Sequence, residues 1–412
     1  MYKTFFYHKE FLKKFTETIP SALFNCRLHL REILTFVSMR QKRVYVTVSS
    51  DLATDNRVHR TCTVLEGLGF QILLIGRKKK NSPPMPPRSY QVKRLRLGFE
   101  KGALFYAALN LRLFFLLLIN PYDYLFANDL DTLPAAYLAS RLRRKPLLYD
   151  SHELFTEVPE LVSRPRIQHF WLRIEQRILP HLKVMITVNE SIAAIFKSNY
   201  SIPVNVVRNV PQRQEQLYAL SREELNLKPT QKMLIIQGSG LNVQRGIEEA
   251  ILAMELIDDA VLFLVGDGDV IPSVKKIVAT KNLQEKVRFV GRLPYKQLLQ
   301  YTAAADLGLA LDKPLSLNYA LALPNKVFDY IQAQTPFVTS PLVEIQKLID
   351  RYDCGEVIQE VSPEALAQKI NTLCSNPERL AILKENCKKA AAVEHWDADK
   401  KVLAEVVGRV FI

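Results

Sequence analysis

The 412-residue chain contains few cysteines, and none of them has the spacing of a metal ligand. This pattern predicts reduced, mostly structural thiols in a cytoplasmic protein, and no metal site. The five cysteines are scattered along the chain: Cys26, Cys62, Cys354, Cys374 and Cys387.

Long, uninterrupted apolar runs are also missing from the chain. Residues 1–42 have no continuous apolar core, so we expect no cleavable signal peptide. The most apolar stretch is residues 103–119, which Asn110 and Arg112 interrupt. Since a membrane-spanning helix needs ~20 apolar residues, this stretch predicts a buried or membrane-facing helix.

Acidic residues are too few to balance the basic ones. The chain has 56 Lys and Arg residues against 42 Asp and Glu residues, a net charge of +14. Such an excess favours anionic partners: phosphorylated substrates, anionic lipid or nucleic acid. Residues 77–96 contain no acidic residue, and their prolines predict a solvated loop that also attracts anions. The extension 1–42 is either an amphipathic membrane-surface segment or a helix packed on the body of the protein.

Short apolar runs alternate with helix-length stretches from Arg43 onwards. A polar stretch, residues 212–231, divides the runs into two sets of about six. This alternation predicts an α/β protein with two doubly wound parallel sheets, each covered on both faces. The predicted strands are 44–49, 70–76, 122–128, 146–150, 183–188 and 203–209 in the first set, and 233–238, 260–266, 286–291, 306–311, 336–340 and 355–359 in the second.

The loops after the strands matter most, because ligands of doubly wound sheets bind at the carboxyl ends of the strands. The first loop contains Ser50, and Asp55 or Asn56 can cap the helix that follows. The loop either faces a cleft between the domains or merely starts a helix on which Arg57 and Arg60 are exposed. It has no GxGxxG, which argues against a dinucleotide-binding domain.

Polar and titratable residues follow two further strands of the first set. Asn128 and Asp129 end one run, and His152 and Glu153 follow another. Together they offer the paired donors and acceptors that a sugar hydroxyl needs. His152 is either structural or part of a site.

Glycine turns follow the strands of the second set. Gly238 and Gly240 allow the backbone to approach a ligand closely. Arg245 can neutralise a diphosphate through charge-assisted hydrogen bonds. The backbone at Arg292 and Leu293 can contact a nucleobase.

Residues 323–336 predict a loop that turns into a helix. The free N–H groups of Asn325, Lys326 and Val327 would make a phosphate site at the positive end of the helix dipole. Asp329, one turn further on, could accept hydrogen bonds from two ribose hydroxyls. The alternative is an ordinary helix start, with Asp329 solvated or favouring the dipole.

Six stretches of the chain share a family likeness through their order and spacing, and they extend over most of residues 43–400. They resemble bacterial retaining nucleotide-sugar glycosyltransferases of family 4, which have the GT-B fold. The resemblance implies two Rossmann-like domains facing across a cleft. The stretches are DNRVHRTCTVLEGLGF, YDYLFANDLDTLPAA, LYDSHELF, QGSGLNVQRGIEEAILA, VRFVGRLPYKQLLQYTAAADLGLAL and LPNKVFDYIQAQTPFVTS.

The resemblance also implies that the two domains bind different substrates. An acceptor domain would comprise residues 43–211 and be completed by the helix 396–412. A donor domain, residues 212–395, would hold the nucleotide diphosphate.

The resemblance also assigns roles to individual residues of this chain. Arg245 matches a basic phosphate ligand, and Asp329 matches the second glutamate of a paired-glutamate motif, which binds ribose. Asn128 and Asp129 fall where the family often has a histidine near the donor sugar, and His152 lies in the YDSHE element.

Two positions depart from the family pattern. Leu321 stands where the first glutamate is expected, so the sugar contact would come from Asn318 or from the backbone near Leu323. Ser239 stands where an arginine often accompanies a second basic residue, a role that Lys326 can take. These departures leave the identity of the donor sugar undetermined, and they also allow an alternative in which catalysis is impaired.

The implied function is transfer of a hexose-type sugar, with retention, from a nucleoside-diphosphate sugar to a lipid-linked or polysaccharide acceptor. The enzyme would be cytoplasmic and peripheral on the inner face of the cell membrane, where it meets an anionic surface. It would need neither nicotinamide nor metal and would bind no nucleic acid. The alternatives are a nucleotide-sugar epimerase on the same scaffold and a non-catalytic nucleotide-sugar-binding scaffold protein, with a dehydrogenase more distant.

Overall fold

The computed structural model describes residues 41–238 and 240–411. The predicted site residue Ser239 and most of the predicted extension 1–42 lie outside these ranges.

The first domain is built on a sheet of seven strands within the described residues. Its strands are β1 (Arg43–Asp51), β2 (Gln71–Arg77), β3 (Gln91–Leu95), β4 (Tyr124–Asn128), β5 (Leu147–Ser151), β6 (Met185–Thr187) and β7 (Val204–Val206). Its helices are α1 (Asn56–Gly67), α2 (Ala103–Ile119), α3 (Leu133–Arg143), α4 (Pro159–Val162), α5 (Pro165–Ile178) and α6 (Glu190–Tyr200), with 3-10 turns at Phe155–Glu157 and Leu179–His181.

The second domain has a sheet of six strands in the same described part of the chain. Its strands are β8 (Lys232–Gly238), β9 (Ala260–Gly266), β10 (Val287–Gly291), β11 (Leu307–Ala310), β12 (Phe337–Thr339) and β13 (Gly355–Val357). The helices that follow β8 are α7 (Ile247–Ala253), α8 (Ile271–Thr280), α9 (Tyr295–Ala304), α10 (Leu317–Ala320), α11 (Asn325–Gln332), α12 (Val343–Tyr352), α13 (Pro363–Cys374), α14 (Pro377–Ala391) and α15 (Trp396–Phe411).

Both sheets are parallel and doubly wound, which confirms the predicted fold class. The strand orders are β3-β2-β1-β4-β5-β6-β7 and β10-β9-β8-β11-β12-β13. The direction of winding changes between β1 and β4 in the first sheet and between β8 and β11 in the second. Ligand crevices of doubly wound sheets lie at such switch points.

The basic stretch 77–96 was predicted to be a loop, and this is wrong for its last part. Residues 91–95 form β3, an edge strand that pairs in parallel with β2. Lys93 and Arg94 are tolerated there because an edge strand faces solvent along one side. The first set therefore has seven strands rather than about six.

The last helix, α15, returns to the first domain. The ring of Phe411 stacks on Tyr124 of β4, with the ring centroids 4.6 Å apart. At the other end, the N–H group of Trp396 donates to the carbonyl of Pro211, 2.8 Å away. The helix thus packs against the first sheet although it follows the second domain in sequence.

Helix α2 is the apolar stretch 103–119. One face packs into the core through Phe105, Leu109, Leu113 and Leu117, all buried. Within the ranges that the structure describes, no helix is both long and apolar enough to cross a membrane.

Candidate functional site

A histidine with a strongly raised pKa lies one strand away from the switch point of the first sheet. His152 follows β5, and its Nδ1 lies 3.2 Å from Oδ2 of Asp129. Its Nε2 lies 3.3 Å from Oδ2 of Asp150 and 3.2 Å from Oδ1 of Asn128. Burial opposes protonation of the ring, but the charges of Asp129 and Asp150 outweigh it and raise the pKa of His152 to about 10.

The turn after β4 holds the histidine in place. Asp129 has a left-handed backbone, with φ of 61°, and its N–H group donates to the carbonyl of Asp150 at 2.9 Å. This conformation turns the Asp129 carboxylate towards β5, where Oδ1 accepts the backbone N–H of His152 at 3.0 Å. Asn128 is fully buried and donates to the carbonyl of Thr47 on β1.

Arg57 completes the cluster from helix α1. Its Nη2 and Nε donate to the two oxygens of Asp150 at 2.8 and 3.2 Å, and its Nη1 donates to the carbonyl of Val207. Burial opposes ionisation of Asp150, but Arg57 and His152 hold the pKa of that carboxyl well below its ordinary value. The expectation that Arg57 is exposed on a simple capped helix is wrong, because the guanidinium is buried as the partner of a buried carboxylate.

The helix cap itself comes from Asp55, whose Oδ1 accepts the N–H of Val58 at 3.0 Å. Ser50 Oγ donates to the other oxygen of the same carboxylate. The predicted site residue Ser50 is therefore tied to the start of α1.

Two further carboxyl groups near His152 lose protons only near neutral pH. Burial and the Asp129 charge raise the pKa of Asp131 to about 7 and that of Glu153 also to about 7. This edge of the sheet therefore carries the fixed cations of Arg57 and His152 beside carboxyls whose protonation varies.

We expect His152 to stabilise the fold up to unusually high pH. In an unfolded chain its pKa would be about 6.5, so its stabilising charge is complete below that pH and lost as pH rises towards about 10. Urea denaturation of the wild-type protein and His152→Gln should show a stability difference that shrinks across this interval. An NMR titration of the ring with a midpoint near the ordinary value would contradict the arrangement.

Helix α10 of the second domain and its cap residue Leu321 dock on the first domain beside this cluster. Oδ1 of Asn318 accepts the N–H of Leu154 at 2.8 Å, and its Nδ2 lies 3.5 Å from Oε2 of Glu153. Leu321 packs into the apolar core of the first domain, and its carbonyl accepts a hydrogen bond of 2.8 Å from Asn189 Nδ2. Both the oxygen and the nitrogen of the side-chain amide of Asn318, the predicted sugar-contact residue, thus contact the first domain.

The predicted cations of the second domain meet on one carboxylate. Arg245 and Lys326 both pair with Asp312, which follows β11 and is buried; Lys326 Nζ lies 3.1 Å from Oδ2. Burial opposes ionisation of Asp312, but the two cations lower its pKa below the ordinary value. The Arg245 guanidinium also lies over the ring of Tyr319, 5.2 Å from its centroid. Two cations around one carboxylate leave a net positive charge at the start of α11.

One detail of the predicted phosphate site is wrong. The N–H group of Val327 was expected to be free, but it donates to the carbonyl of Pro324 at 3.1 Å. Pro324 is the cap residue of α11, and a tight first turn uses this donor. The side chain of Val327 is in the core, whereas Asn325 is exposed beside Lys326.

The remaining predicted residues line the carboxyl edge of the second sheet. Gly238 ends β8, and a Cβ atom at Gly240 would meet only the side chain of Asn242 at 3.4 Å. Arg292 is exposed in the turn after β10, and the side chain of Leu293 packs partly against the core.

Asp329 lies in a hydrogen-bonded pocket. Its Oδ2 accepts from Gln237 Nε2 at 3.1 Å, and its Oδ1 accepts from the hydroxyl of Tyr295 at 2.7 Å. Burial raises the pKa of Asp329 to about 6, although these two donors and the nearby charge of Arg60 oppose the shift. The carboxylate is therefore partly exposed but tied to two donors, instead of being a freely solvated group or a simple partner of the helix dipole.

Sequence reasoning missed the partners of these residues. Asp312, Gln237 and Tyr295 orient the predicted side chains. Asp150, which is itself held by Arg57, contacts His152. Their position in the sequence could have indicated them, because Gln237, Asp150 and Asp312 all lie at or just beyond strand ends. Among the described residues, no group of three or more His, Cys, Asp or Glu side chains is arranged to hold a metal ion.

Two protein-family models match the chain. Residues 54–211 match Glycosyltransferase Family 4, and residues 219–390 match Glycosyl transferases group 1. A comparison with curated protein sequences gave no significant match.

Solved structures share the fold at low sequence identity. Sucrose-phosphate synthase from Thermosynechococcus elongatus has a TM-score of 0.72 and 17% identity, covering 90% of this chain and 99% of that one. Anabaena HepE in complex with UDP-glucose has a TM-score of 0.66 and 16% identity, with 89% and 100% covered. WaaG, a glycosyltransferase involved in lipopolysaccharide biosynthesis, has a TM-score of 0.66 and 16% identity, with 88% and 99% covered.

The two family matches lie one in each domain, and together they extend over most of the chain. The parallel seven- and six-stranded sheets agree with the architecture of the structural neighbours. The chain is therefore a group 1 glycosyltransferase with the two-domain GT-B fold.

Proposed function

We propose that this enzyme transfers a hexose-type sugar from a nucleoside-diphosphate sugar to a lipid-linked or polysaccharide acceptor, with retention of configuration. The observation that carries the proposal is the convergence of Arg245 and Lys326 on Asp312 at the start of α11. HepE, which shares the fold, was solved with UDP-glucose, and this supports a nucleotide-sugar donor.

The chemistry is mainly charge stabilisation. As the bond to the sugar breaks, negative charge gathers on the leaving diphosphate, and Arg245, Lys326 and the helix start stabilise it. Asp312 holds the two cations in position before the donor arrives. The sugar becomes oxocarbenium-like, as in glycoside hydrolysis.

The protonation of His152 bears on where the acceptor proton goes. With a pKa of about 10 the ring is protonated at neutral pH, so its two nitrogens, which face Asp129 and Asp150, have no free lone pair with which to take a proton. The departing phosphate, on the same face as the acceptor, can take that proton instead. In this proposal the nucleotide sugar is the co-substrate, with no metal or other cofactor.

The acceptor class is proposed from charge and location together. The positive excess of the chain and the exposed basic residues Lys79, Lys80 and Lys93 favour an anionic membrane surface. A lipid-linked or polysaccharide acceptor would be met at the inner face of the cell membrane. We propose that the protein is cytoplasmic and peripheral there.

A thermal-shift screen against nucleoside diphosphates and their sugars tests the donor. A ligand at a hundredfold excess over its dissociation constant stabilises a protein by ~2.7 kcal/mol. We expect one base to stabilise the protein clearly, and its diphosphate to stabilise it more than its monophosphate. Equal shifts with nucleosides that lack phosphate would contradict the anion site.

Asp329→Asn should weaken the nucleotide selectively. Each Asp329 oxygen keeps a lone pair beside its Gln237 or Tyr295 bond, so it can still accept a ribose hydroxyl, whereas an amide offers one acceptor oxygen. We expect a loss of about 1.5–3 kcal/mol for a nucleoside diphosphate and little change for its 2′,3′-dideoxy form.

Calorimetry of both proteins with both nucleotides, together with melting curves, measures this coupling. If Asp329 only supports Gln237 and Tyr295, the melting temperature falls while both nucleotides lose affinity alike. That result would remove Asp329 from the ribose site.

A further inference from the structure

One helix layer of the first domain exposes an unusual amount of apolar surface. Helices α2, α3 and α5 pack into one apolar core with strands of the first sheet, and their outward sides carry large apolar residues that are 44–75% exposed. Of the twenty exposed large apolar residues among those described, ten lie within residues 99–170. The eight on these three helices are Leu104, Leu111, Phe115, Ile119, Leu138, Leu142, Ile167 and Phe170.

These helices form one continuous surface. Arg143 of α3 donates to the carbonyls of Leu117 and Leu118 at the end of α2, both at 3.1 Å. The rings of Tyr106 on α2 and Trp171 on α5 pack edge to face, with centroids 5.2 Å apart. We call this surface, formed by the outward sides of α2, α3 and α5, the outer helix face.

The outer helix face is also strongly basic. Between residues 103 and 178, Glu160 is the only exposed acidic side chain among the described residues. Seven arginines in the same range are exposed: Arg112, Arg141, Arg144, Arg164, Arg166, Arg173 and Arg177. Apolar side chains interspersed with cations are the pattern of a surface that inserts shallowly among anionic lipid headgroups.

Helix α2 has the geometry of an interfacial helix. Its exposed stripe, from Leu104 to Ile119, runs the length of the helix opposite the buried stripe that begins at Phe105. Its 17 residues extend ~25 Å at 1.5 Å per residue. It can therefore lie along a bilayer with its apolar stripe in the headgroup region.

The start of α2 lies at the edge of the sheet that carries the His152 cluster. Arg77, which ends β2, places its guanidinium 4.6 Å from the ring centroid of Phe105. Asn110 of α2 donates to the carbonyl of Asp131, two residues after Asp129, at 2.7 Å. A bilayer against the outer helix face would thus lie close to the cleft.

We infer that the outer helix face is the membrane-docking surface of the enzyme, and that its occupant is a bilayer containing anionic lipid. The inference rests on the proposed membrane location. It assigns membrane contact to helices α2, α3 and α5 instead of to the basic stretch 77–96 alone. Such docking would bring a lipid-linked acceptor to the entrance of the cleft.

Vesicle flotation of the full chain tests the inference. Vesicles of phosphatidylcholine alone are compared with vesicles that also contain phosphatidylglycerol, at low and high salt. We expect the wild-type protein to float with the anionic vesicles. Leu111→Ser with Phe115→Ser should weaken binding by more than about tenfold, because it removes two inserted side chains. Arg166→Gln and Arg173→Gln should each weaken it by about fivefold, and more at low salt than at high salt.

Matched controls come from the second domain and from the basic stretch 77–96. Ile382→Ser with Val393→Ser changes residues of similar exposure, 52% and 55%, and should leave flotation unchanged. Lys79→Gln with Lys80→Gln should reduce flotation less than the double apolar substitution does. Melting curves check that every variant is folded, and the residues changed are all exposed.

Several results would overturn the inference. These are wild-type protein that does not float, outer-face variants that float like wild type, and sedimentation showing a dimer that the Leu111 and Phe115 changes dissociate. The proposed function is judged separately, by nucleoside-diphosphate stabilisation without vesicles. That stabilisation should be equal in the wild-type protein and the outer-face variants, and its absence from the wild type would count against the donor site.

Discussion

Replacing Arg57 by methionine should lower the free energy of unfolding by about 3–5 kcal/mol, the usual cost of breaking a buried ion pair from one side. Arg57 and Asp150 are 6% and 1% exposed, and the guanidinium binds both carboxylate oxygens. Without it, Asp150 would keep a buried negative charge with only His152 to balance it. The carbonyl of Val207 would also lose its donor.

Urea denaturation measures this change in the free energy of unfolding. Two further variants show whether the loss comes from the buried ion pair. Arg112→Met removes an exposed arginine and should cost within about 0.5 kcal/mol. Adding Asp150→Asn to Arg57→Met should recover part of the loss, because the orphaned charge is removed. A single Arg57→Met variant within about 1 kcal/mol of wild type would show that the pair is not buried as described.

Arg245→Ala and Lys326→Ala should each weaken nucleoside-diphosphate binding by about 1.5–3 kcal/mol, the usual range for a hydrogen bond to a charged group. This corresponds to roughly 10- to 150-fold in the dissociation constant. Both cations pair with Asp312 at the start of α11, so both should face the same diphosphate. The corresponding nucleoside, which lacks phosphate, should bind all three proteins alike.

Lys313→Ala is the matched control for this pair. Lys313 is adjacent to Asp312 in sequence, but its ammonium pairs with Glu249 instead. Its removal should leave diphosphate affinity unchanged in calorimetry. Because each single substitution leaves Asp312 with one cation, melting curves are needed beside the titrations. Unchanged affinity in both site variants would contradict the diphosphate site.

The fold was largely predictable because its signal is local. Buried parallel strands are continuous apolar runs, and twelve of the thirteen strands in the described residues stood out in this way. The missed strand, β3, contains Lys93 and Arg94, and the charges of an edge strand hide its apolar alternation.

The site was predictable only in part, because its partners are distant in sequence. Arg57 lies 93 residues from Asp150, Arg245 lies 67 residues from Asp312, and Gln237 lies 92 residues from Asp329. A strand end indicates that a side chain lies near the cleft, but only the folded sheets show which side chains meet. The sequence therefore suggested His152 as a donor or acceptor for sugar, whereas its two carboxylate neighbours make it a fixed cation.

The sequence also does not indicate which side of helix α2 is exposed. Its buried and exposed stripes are both apolar, so the sequence has no amphipathic period from which to read the exposed side. The structure separates the two stripes by placing the sheet against one of them. This is why residues 103–119 predicted a buried helix and a membrane-facing helix equally well.

The most direct test of the central claim is the fate of a nucleotide sugar mixed with the enzyme and membranes that supply acceptors. With the donor selected by thermal shift, mass spectrometry should show an acceptor heavier by one sugar unit, with one nucleoside diphosphate released for each transfer. Arg245→Ala should slow both products together. An isomerised nucleotide sugar formed without any acceptor, or a donor that binds tightly and is never consumed, would contradict glycosyl transfer.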